Sequence, residues 1–135
     1  MRGAVRRGTM QRMVVEGGDR KASLMRGVLD MCVLAVLEVE PLHAYGVVSR
    51  LRQHGFANAG YGTIYPLVTR LKKQGLVDER KEPGTSGPTR KVLMVNADGR
   101  SALAEWVEQW HHTTETVTSV LAACKGKVEE HAHGV

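Results

Sequence analysis

The side chains best suited to chemistry are hydroxyl and basic groups on a helix predicted within residues 62–77. Apolar residues recur there at helical spacing, and the opposite face is polar and basic. That face and its flanks carry Tyr65, Pro66, Thr69, Arg70 and Lys73, with Lys72 beside them. Such groups bind phosphates and the edges of nucleic-acid bases. An ordinary surface helix also carries a few basic residues, so this segment alone leaves both interpretations open.

A second basic group lies in a β-hairpin predicted directly after this helix. Residues 76–82 and 90–95 predict two strands, and the Gly- and Pro-rich residues 83–88 predict the loop between them. Arg90 and Lys91 lie near the base of that loop. A basic helix followed by such a hairpin is typical of a winged helix, in which the loop lies along a phosphate backbone. No Gly-Lys-Ser/Thr opens a helix here, which excludes a nucleotide-phosphate loop.

Two tryptophans, Trp106 and Trp110, lie one turn apart on a long predicted C-terminal helix. The chain has a single Phe, so two large rings on one helix need a role. One interpretation is core packing, which suits Trp106 better than Trp110. The other is a ligand site in which Trp110 meets its symmetry mate across a dimer axis. The small Thr113 and Thr114 would leave room there for a planar apolar or cationic molecule.

Other reactive side chains form no recognisable site in the sequence. No paired carboxylates and no Cys/His or Ser/His arrangement stand above background, so we predict no catalytic residues, no enzyme activity and no cofactor. The histidines at 111 and 112, and those at 131 and 133, do not place two rings on one helical face. No metal site is therefore predicted.

Length and composition predict one domain of 135 residues with a modest core. No uncharged apolar run approaches the roughly 18 residues of a membrane span, and the basic N-terminus lacks the apolar core of a secretory signal. The two cysteines, Cys32 and Cys124, are most simply reduced thiols. We therefore expect a cytoplasmic protein with no membrane partner.

The net charge of +5 is unevenly distributed. Residues 1–22 carry +4 and residues 43–91 carry +6, whereas residues 23–42 carry −2 and residues 92–135 carry −3. The basic middle segment contains the helix and hairpin described above. This asymmetry favours a polyanion as partner, although a solvated basic face is common.

Two further helices are predicted before residue 62. Ser23 caps the first, and Pro41 ends it. Its apolar stripe is centred on Leu24, Val28, Met31, Cys32, Ala35 and Val36, and is widened by Leu29, Val33, Leu34 and Leu37. So broad a stripe indicates burial on more than one side. Residues 43–54 predict the second helix, which Gly55 ends, so that it forms a helix-turn-helix with the basic helix.

The last helix is predicted to begin after a cap at Asn96 and to extend for about 25 residues. Leu103, Trp110 and Val117 lie seven apart on it, with further apolar residues between them, which gives a heptad-like seam. So small a domain has no use for a long seam unless a partner covers it. We predict a homodimer in which the same helix of a second subunit is that partner.

The predicted fold class is therefore mainly α (α+β), a winged helix-turn-helix with a two-stranded wing and a long C-terminal dimerisation helix. Residues 1–22 are predicted to be a disordered basic arm without a specific role, although it could touch phosphates. Residues 23–95 form the winged helix-turn-helix, residues 96–122 the dimerisation helix and residues 123–135 a flexible tail.

Three blocks of residues resemble the PadR family of bacterial transcriptional regulators. The blocks are Pro-Leu-His-Ala-Tyr-Gly at 41–46, Gly-Thr-Ile-Tyr-Pro-Leu at 62–67 with its continuation to 77, and the segment from Gly87-Pro88-Thr89-Arg90-Lys91 to Arg100. The resemblance spans about residues 24–122, and the single long C-terminal helix is similar to the smaller PadR subfamily. Ala44 stands where Gly is usual, and Val92-Leu93 replaces the usual aromatic pair; both differences concern packing.

The resemblance implies a homodimeric winged-helix repressor that binds double-stranded DNA and is released by a small molecule. The two-fold symmetry of such a dimer requires an inverted-repeat operator. The expected DNA-binding residues are Tyr65, Thr69, Arg70, Lys72, Lys73, Arg90 and Lys91. Trp106 and Trp110 are the expected ligand-binding residues, with a planar aromatic effector. The alternative is a winged-helix protein-interaction module that does not bind DNA; the +6 charge of residues 43–91 favours the first.

Overall fold

The computed structural model describes residues 20–84 and 87–134, with side-chain surroundings described as far as residue 125. Most of the predicted N-terminal arm, two residues of the wing loop and the last residue lie outside the described part. The elements are α1 (Leu29–Val39), α2 (Ala44–Gln53), α3 (Tyr61–Lys73), β1 (Val77–Glu82), β2 (Arg90–Val95) and α4 (Ala97–Gly134). The predicted fold class, mainly helical with a two-stranded wing and a long last helix, is confirmed.

The first predicted helix is interrupted, contrary to the sequence-based prediction. Residues 20–26 form a short helical stretch, residues 27 and 28 form a turn, and α1 begins at Leu29. The backbone N–H groups of Gly27 and Val28 donate to carbonyls only three residues back, those of Leu24 and Met25. Gly27 is the physical reason, because glycine loses the most backbone freedom in a helix.

The apolar stripe predicted for this helix also lies on a different face of the helix from the residues that are buried. Leu24 is 68 % exposed and Ala35 is exposed, whereas Val28, Met31 and Cys32 are only half-buried. The buried side chains are Leu29, Val33, Leu34, Val36 and Leu37, most of which were expected only to widen the stripe. Burial raises the pKa of the Cys32 thiol above its ordinary value, and the neighbouring Asp30 carboxylate adds to this.

The core lies between α1, α2, α3 and the sheet, and α1 contacts each of the other helices and β2. Leu34, Leu51, Ile64 and Leu71 are its largest fully buried side chains, each contributing roughly 1.5–3 kcal/mol by removal from water. α3 begins at Tyr61, slightly earlier than predicted, so Pro66 stands in its second turn rather than its first. Gly75, with φ of +77°, ends α3 in a left-handed conformation that suits glycine.

The wing, defined as β1, β2 and the loop between them, is an antiparallel hairpin. Val77 pairs with Val95 at its base and Glu82 pairs with Arg90 near its loop. Leu42, in the segment before α2, forms an isolated bridge with Leu93 through hydrogen bonds of 2.8 and 3.1 Å. This third short strand segment fixes the wing to the start of α2, which a two-stranded hairpin needs for stability.

The predicted cap of the last helix is confirmed, because Asn96 Oδ1 accepts a hydrogen bond of 2.8 Å from the Gly99 N–H. α4 is 38 residues long rather than about 25. An ion pair between Arg100 and Glu38 joins its first turn to α1. The predicted flexibility of residues 123–135 stays a prediction. None of the helices in the described part of the chain is both long and apolar enough to cross a membrane.

Candidate nucleic-acid interface

The two faces of α3 are separated as the sequence predicts. Ile64, Val68 and Leu71 are buried in the core, with Leu67 partly buried beside them. Arg70 and Lys73 are exposed on the other side, and neither forms an ion pair with another described residue. Because the buried stripe fixes the rotation of the helix, these two cations are held outward on a rigid element.

The aromatic part of this face is a stacked pair. The rings of Tyr61 and Tyr65 lie 5.1 Å apart between centroids at an interplanar angle of 21°, and both residues are exposed. One turn further along, the Thr69 hydroxyl donates to the Tyr65 backbone carbonyl at 3.1 Å. The hydroxyl keeps its acceptor lone pairs for an outside donor. Tyr61, which the sequence-based prediction omitted, thus belongs to the same surface.

Lys72 differs from its neighbours because it has a carboxylate partner. Its Nζ lies 3.0 Å from Glu79 Oε2 on β1, and the two side chains are 32 % and 23 % exposed. The pair ties the last turn of α3 to the wing. Its positive charge is partly neutralised, so Lys72 is less available to an outside anion than Arg70 or Lys73.

The wing adds a second group of cations. Arg90 and Lys91, both predicted site residues, are exposed on β2. The register places Lys81 of β1 directly opposite Lys91. Like charges directly opposite each other on antiparallel strands are destabilising, and an anion bound between them removes that cost. Lys81 was not among the predicted site residues, and only the strand register identifies it. Arg80 is instead paired with Glu82 at 2.6 Å.

A groove of about 440 Å³ lies between α3 and the wing, and polar and basic side chains from both line it. Tyr65, Thr69 and Lys72 of α3, Arg90 and Lys91 of β2, and Tyr45 at the start of α2 line it together with other side chains. Five of the seven predicted DNA-binding residues therefore surround one groove, whereas Arg70 and Lys73 lie outside its lining.

His43 also lines this groove. It occupies the N-cap position of α2, but its side chain forms no capping hydrogen bond there. Its Nδ1 is buried and has no hydrogen-bond partner among the described residues. An unpaired buried polar atom costs free energy until a partner is supplied. No sequence pattern indicates this buried atom, because a single histidine before a helix is usually a packing residue.

The two predicted ligand-binding residues lie apart from this groove, on α4. Trp106 packs against the core, while Trp110 is 40 % exposed. Together with Gly27, Val28 and Met31 they line a second groove of about 640 Å³ between α4 and the segment that leads into α1. The exposed apolar side chains of α4 form a stripe made of Val107, Trp110, Val117, Val120 and Leu121.

Comparison with known proteins agrees with this architecture. Residues 33–105 match the family model described as the transcriptional regulator PadR-like family. A PadR family transcriptional regulator from Eggerthella lenta is 32 % identical, with a TM-score of 0.73, over 82 % of this chain and 96 % of that one. A PadR-like transcriptional regulator from Bacillus cereus is 30 % identical, with a TM-score of 0.67, over 73 % and 96 % of the two chains.

A third solved structure shares the fold at lower identity. It is Bacillus subtilis PadR in complex with operator DNA, 23 % identical with a TM-score of 0.55, over 59 % of this chain and 45 % of that one. The family model covers more than half of the chain, and it includes α2, α3, the wing and the first turns of α4. Members of this family are regulators of transcription and not enzymes, as predicted. The chain belongs to the PadR-like family of transcriptional regulators.

Proposed function

We propose that the chain is a sequence-specific DNA-binding repressor in which α3 is the recognition helix. The observation that carries this proposal is the rigid outward placement of Arg70 and Lys73 beside the basic groove between α3 and the wing. An α-helix with such a face fits the major groove of DNA, where its side chains reach the base edges. The crystallised complex of a family member, Bacillus subtilis PadR, with operator DNA supports the choice of partner.

The roles of the individual residues follow from their surroundings. The Arg70 guanidinium forms no ion pair with another described residue and has the fork geometry that pairs with guanine, so we assign it to base contact. Lys73, Arg90 and Lys91 are assigned to phosphates, which give affinity without sequence preference. Tyr65 and Thr69 offer hydroxyl groups toward the same surface. Lys72 contributes mainly by holding α3 to the wing through Glu79.

A homodimer of the smaller PadR subfamily is the second part of the proposal. The exposed apolar stripe on α4, with Val117 48 % and Leu121 59 % exposed, is larger than an isolated surface helix would keep in water. Pairing with the same stripe of a second copy removes it from solvent. Two-fold symmetry then requires an operator with inverted half-sites about one helical turn apart, or a multiple of it.

Release by a small molecule is the third part. Trp110 is only partly covered and lies on the proposed dimer helix, so a planar aromatic effector could stack on it at the dimer centre. Such a ligand changes the spacing of the two recognition helices only by as much as it binds one dimer geometry better than the other.

Binding of the purified protein to DNA from upstream of its own gene tests the central claim, with salt concentration varied. We expect one fragment to be bound more tightly than a scrambled fragment of equal length, with affinity falling steeply as salt rises. A winged-helix module that binds only proteins would show no fragment preference and no such slope. That result would replace the proposed function by this alternative.

A further inference from the structure

We propose that the groove between α3 and the wing also binds a free purine nucleotide, which excludes DNA from the same surface. The base stacks on the tyrosines that line the groove, and the phosphate binds the cations of the wing. The competition with DNA rests on the proposed function. The nucleotide site itself does not, because the groove is formed by this chain alone and can be tested without DNA.

The first support is the aromatic wall of the groove. The chain has three tyrosines, and all of them, Tyr45, Tyr61 and Tyr65, are exposed and line this groove. The rings of Tyr61 and Tyr65 are already stacked on each other, so they present one extended aromatic surface. A base of any sequence stacks on such a platform, since every base has a π-face. The groove therefore offers a place for a flat base.

The second support is that double-stranded DNA does not use these ring faces. Inside a duplex the faces of a base are covered by its neighbours, and proteins that stack on a base first take it out of the helix. A duplex thus engages the hydroxyl groups of the tyrosines and leaves their ring faces without a partner. A free nucleotide has an uncovered base, so it gains an interaction that the duplex does not supply.

The third support is charge. Arg90 and Lys91 line the groove, and neither forms an ion pair with another described residue. The other two charged groups of the lining, Lys72 and Glu79, are paired with each other. The lining therefore keeps a net charge of +2, from Arg90 and Lys91, with His43 counted as neutral. A terminal phosphate carries about −1.5 to −2 at pH 7, and an arginine binds it through two parallel hydrogen bonds. Side chains, rather than a glycine-rich loop, thus hold the phosphate.

The size and layout of the groove fit a ligand whose ring and anion lie apart. Its volume of about 440 Å³ is typical of small-molecule sites. The tyrosines belong to α2 and α3, whereas Arg90 and Lys91 belong to β2, on the wing side of the groove. A nucleotide likewise holds its base and its phosphate at opposite ends of the ribose.

The same side chains are assigned to both partners, which makes nucleotide and DNA mutually exclusive. Tyr65, Thr69, Arg90 and Lys91 line the groove and are also among the proposed DNA contacts. A shared site means that a bound nucleotide lowers the affinity for DNA by mass action alone. This regulation needs no change in the dimer, so it differs from the effector site proposed at Trp110.

NMR of the full chain with isotope-labelled tyrosine tests the site without DNA, and adenosine monophosphate (AMP) is the probe. The ring current of adenine should shift the ring signals of Tyr61 and Tyr65 saturably, with a Kd below about 1 mM. Adenosine lacks the phosphate and ribose phosphate lacks the base, so each should bind at least about tenfold more weakly. The indole signals of Trp106 and Trp110 report the groove beside α4. Unmoved tyrosine signals at about 5 mM AMP, or movement of the indole signals instead, would overturn the inference.

Variants test the two halves of the site separately. Tyr65→Leu should weaken AMP binding at least about fivefold, and Tyr65→Phe, which keeps the ring, should lose less. Arg90→Gln should weaken it about tenfold. Arg52→Gln is the matched control, because it removes the same charge from an exposed position of α2 outside the groove lining, and it should keep wild-type AMP affinity. Equal melting temperatures exclude a folding defect. Wild-type AMP affinity in either Tyr65→Leu or Arg90→Gln would overturn the inference.

Fluorescence anisotropy with a labelled DNA fragment that the chain prefers measures the competition. AMP should raise the apparent Kd for DNA in proportion to its concentration and without a plateau. Ribose phosphate at equal concentration matches the ionic strength and should leave that Kd nearly unchanged. An unchanged Kd with AMP, or a plateau, would show two separate surfaces and overturn the inference. Failure of the chain to bind any fragment would instead overturn the proposed function, while the NMR titration still decides the nucleotide site.

Discussion

The side-chain amide of Asn96 donates a hydrogen bond of 2.9 Å to the backbone carbonyl of Gly75, which lies two residues after the end of α3. The same amide donates to Asp78 Oδ1 at 3.0 Å, and Asn96 Oδ1 caps α4 through the Gly99 N–H. One side chain therefore connects the end of the proposed recognition helix, the first strand of the wing and the start of the last helix. Its position is fixed by three partners from three elements.

Replacing Asn96 should destabilise the fold in two separable steps. Asn96→Ala removes the cap and both amide bonds, and we expect it to lower the free energy of unfolding by about 1–3 kcal/mol. Asn96→Asp keeps the capping oxygen but loses the donor to Gly75 and adds a repulsion with Asp78. Urea unfolding of the two variants separates the contribution of the capping bond to the free energy of unfolding from that of the two amide hydrogen bonds. If Asn96→Ala has wild-type stability, the three bonds have no net effect.

Gly99 is required by close approach rather than by its backbone angles. A Cβ at this position would overlap the Leu76 carbonyl oxygen and meet Val95 Cγ2 at 2.6 Å. Gly99→Ala should therefore destabilise the protein by about 1–3 kcal/mol, as overpacking does. Gly62→Ala is the matched control, because nothing lies within 4 Å of a Cβ there and alanine favours the helix. Calorimetry should show a lower melting temperature than that of the wild type for Gly99→Ala only.

Arg70 and Lys73 should differ in their effect on operator binding. Arg70→Ala should reduce the free energy of operator binding by about 1–3 kcal/mol and relax specificity at one base position. Lys73→Ala should weaken binding to all DNA sequences and make the log–log salt slope shallower by about 1. Gel shifts on operator and scrambled DNA separate the two effects. Lys125→Ala removes an equal charge from the exposed far part of α4 and should change neither. Wild-type affinity in the Arg70→Ala/Lys73→Ala double variant would contradict the assignment of α3.

Val117 tests the proposed dimer. An aspartate there would place an unpaired charge in the seam, which costs several kcal/mol when buried. Analytical ultracentrifugation of Val117→Asp should show a monomer or aggregate where the wild type sediments as a dimer. Ser119→Asp adds the same charge two residues later, on another side of the helix, and should leave the dimer intact. A well-folded dimer of Val117→Asp would mean that the interface lies elsewhere.

Trp110 tests the proposed effector site. Planar aromatic dyes should quench the tryptophan fluorescence of the wild type at about micromolar concentration, which is within the usual range for such sites. Trp110→Ala should lose this binding, while Trp106→Ala should keep most of it because Trp106 packs against the core. Circular dichroism checks that both variants are folded. Equal quenching of the wild type and Trp110→Ala by each dye would leave Trp110 as a packing residue.

The elements with a strict period could be predicted closely from the sequence. In α3 every third or fourth residue is apolar, and the observed buried residues Ile64, Val68 and Leu71 are those that the period indicates. β2 was predicted with its observed bounds. The first helix was predicted less well, because twelve of the nineteen residues from 23 to 41 are apolar and fit several rotations of a helix equally. Only the contacts with the other helices and the sheet determine which of these residues are buried.

The residues of the candidate site could be predicted from the sequence, but the charged partners and neighbours of their side chains could not. The exposure of Arg70 and Lys73 follows from the helical period, so it could be inferred from sequence. The pairing of Lys72 with Glu79 depends on how the wing docks on α3, and the position of Lys81 opposite Lys91 depends on the register of the two strands. No local pattern contains that information, since the partners are separated in sequence and brought together by the core.

The attachment of α4 at Asn96 and Gly99 has a mechanical consequence. A helix of 38 residues is roughly 57 Å long, and the core contacts described for it, those of Ala102, Leu103 and Trp106, lie in its first third. It therefore behaves as a lever whose pivot is its attachment at Asn96 and Gly99, beside the end of α3. A tilt of about 5° at the pivot moves the far end by about 5 Å, and the same ratio applies in reverse. A contact far along α4 would thus couple a large displacement to a small rotation beside the end of the proposed recognition helix α3.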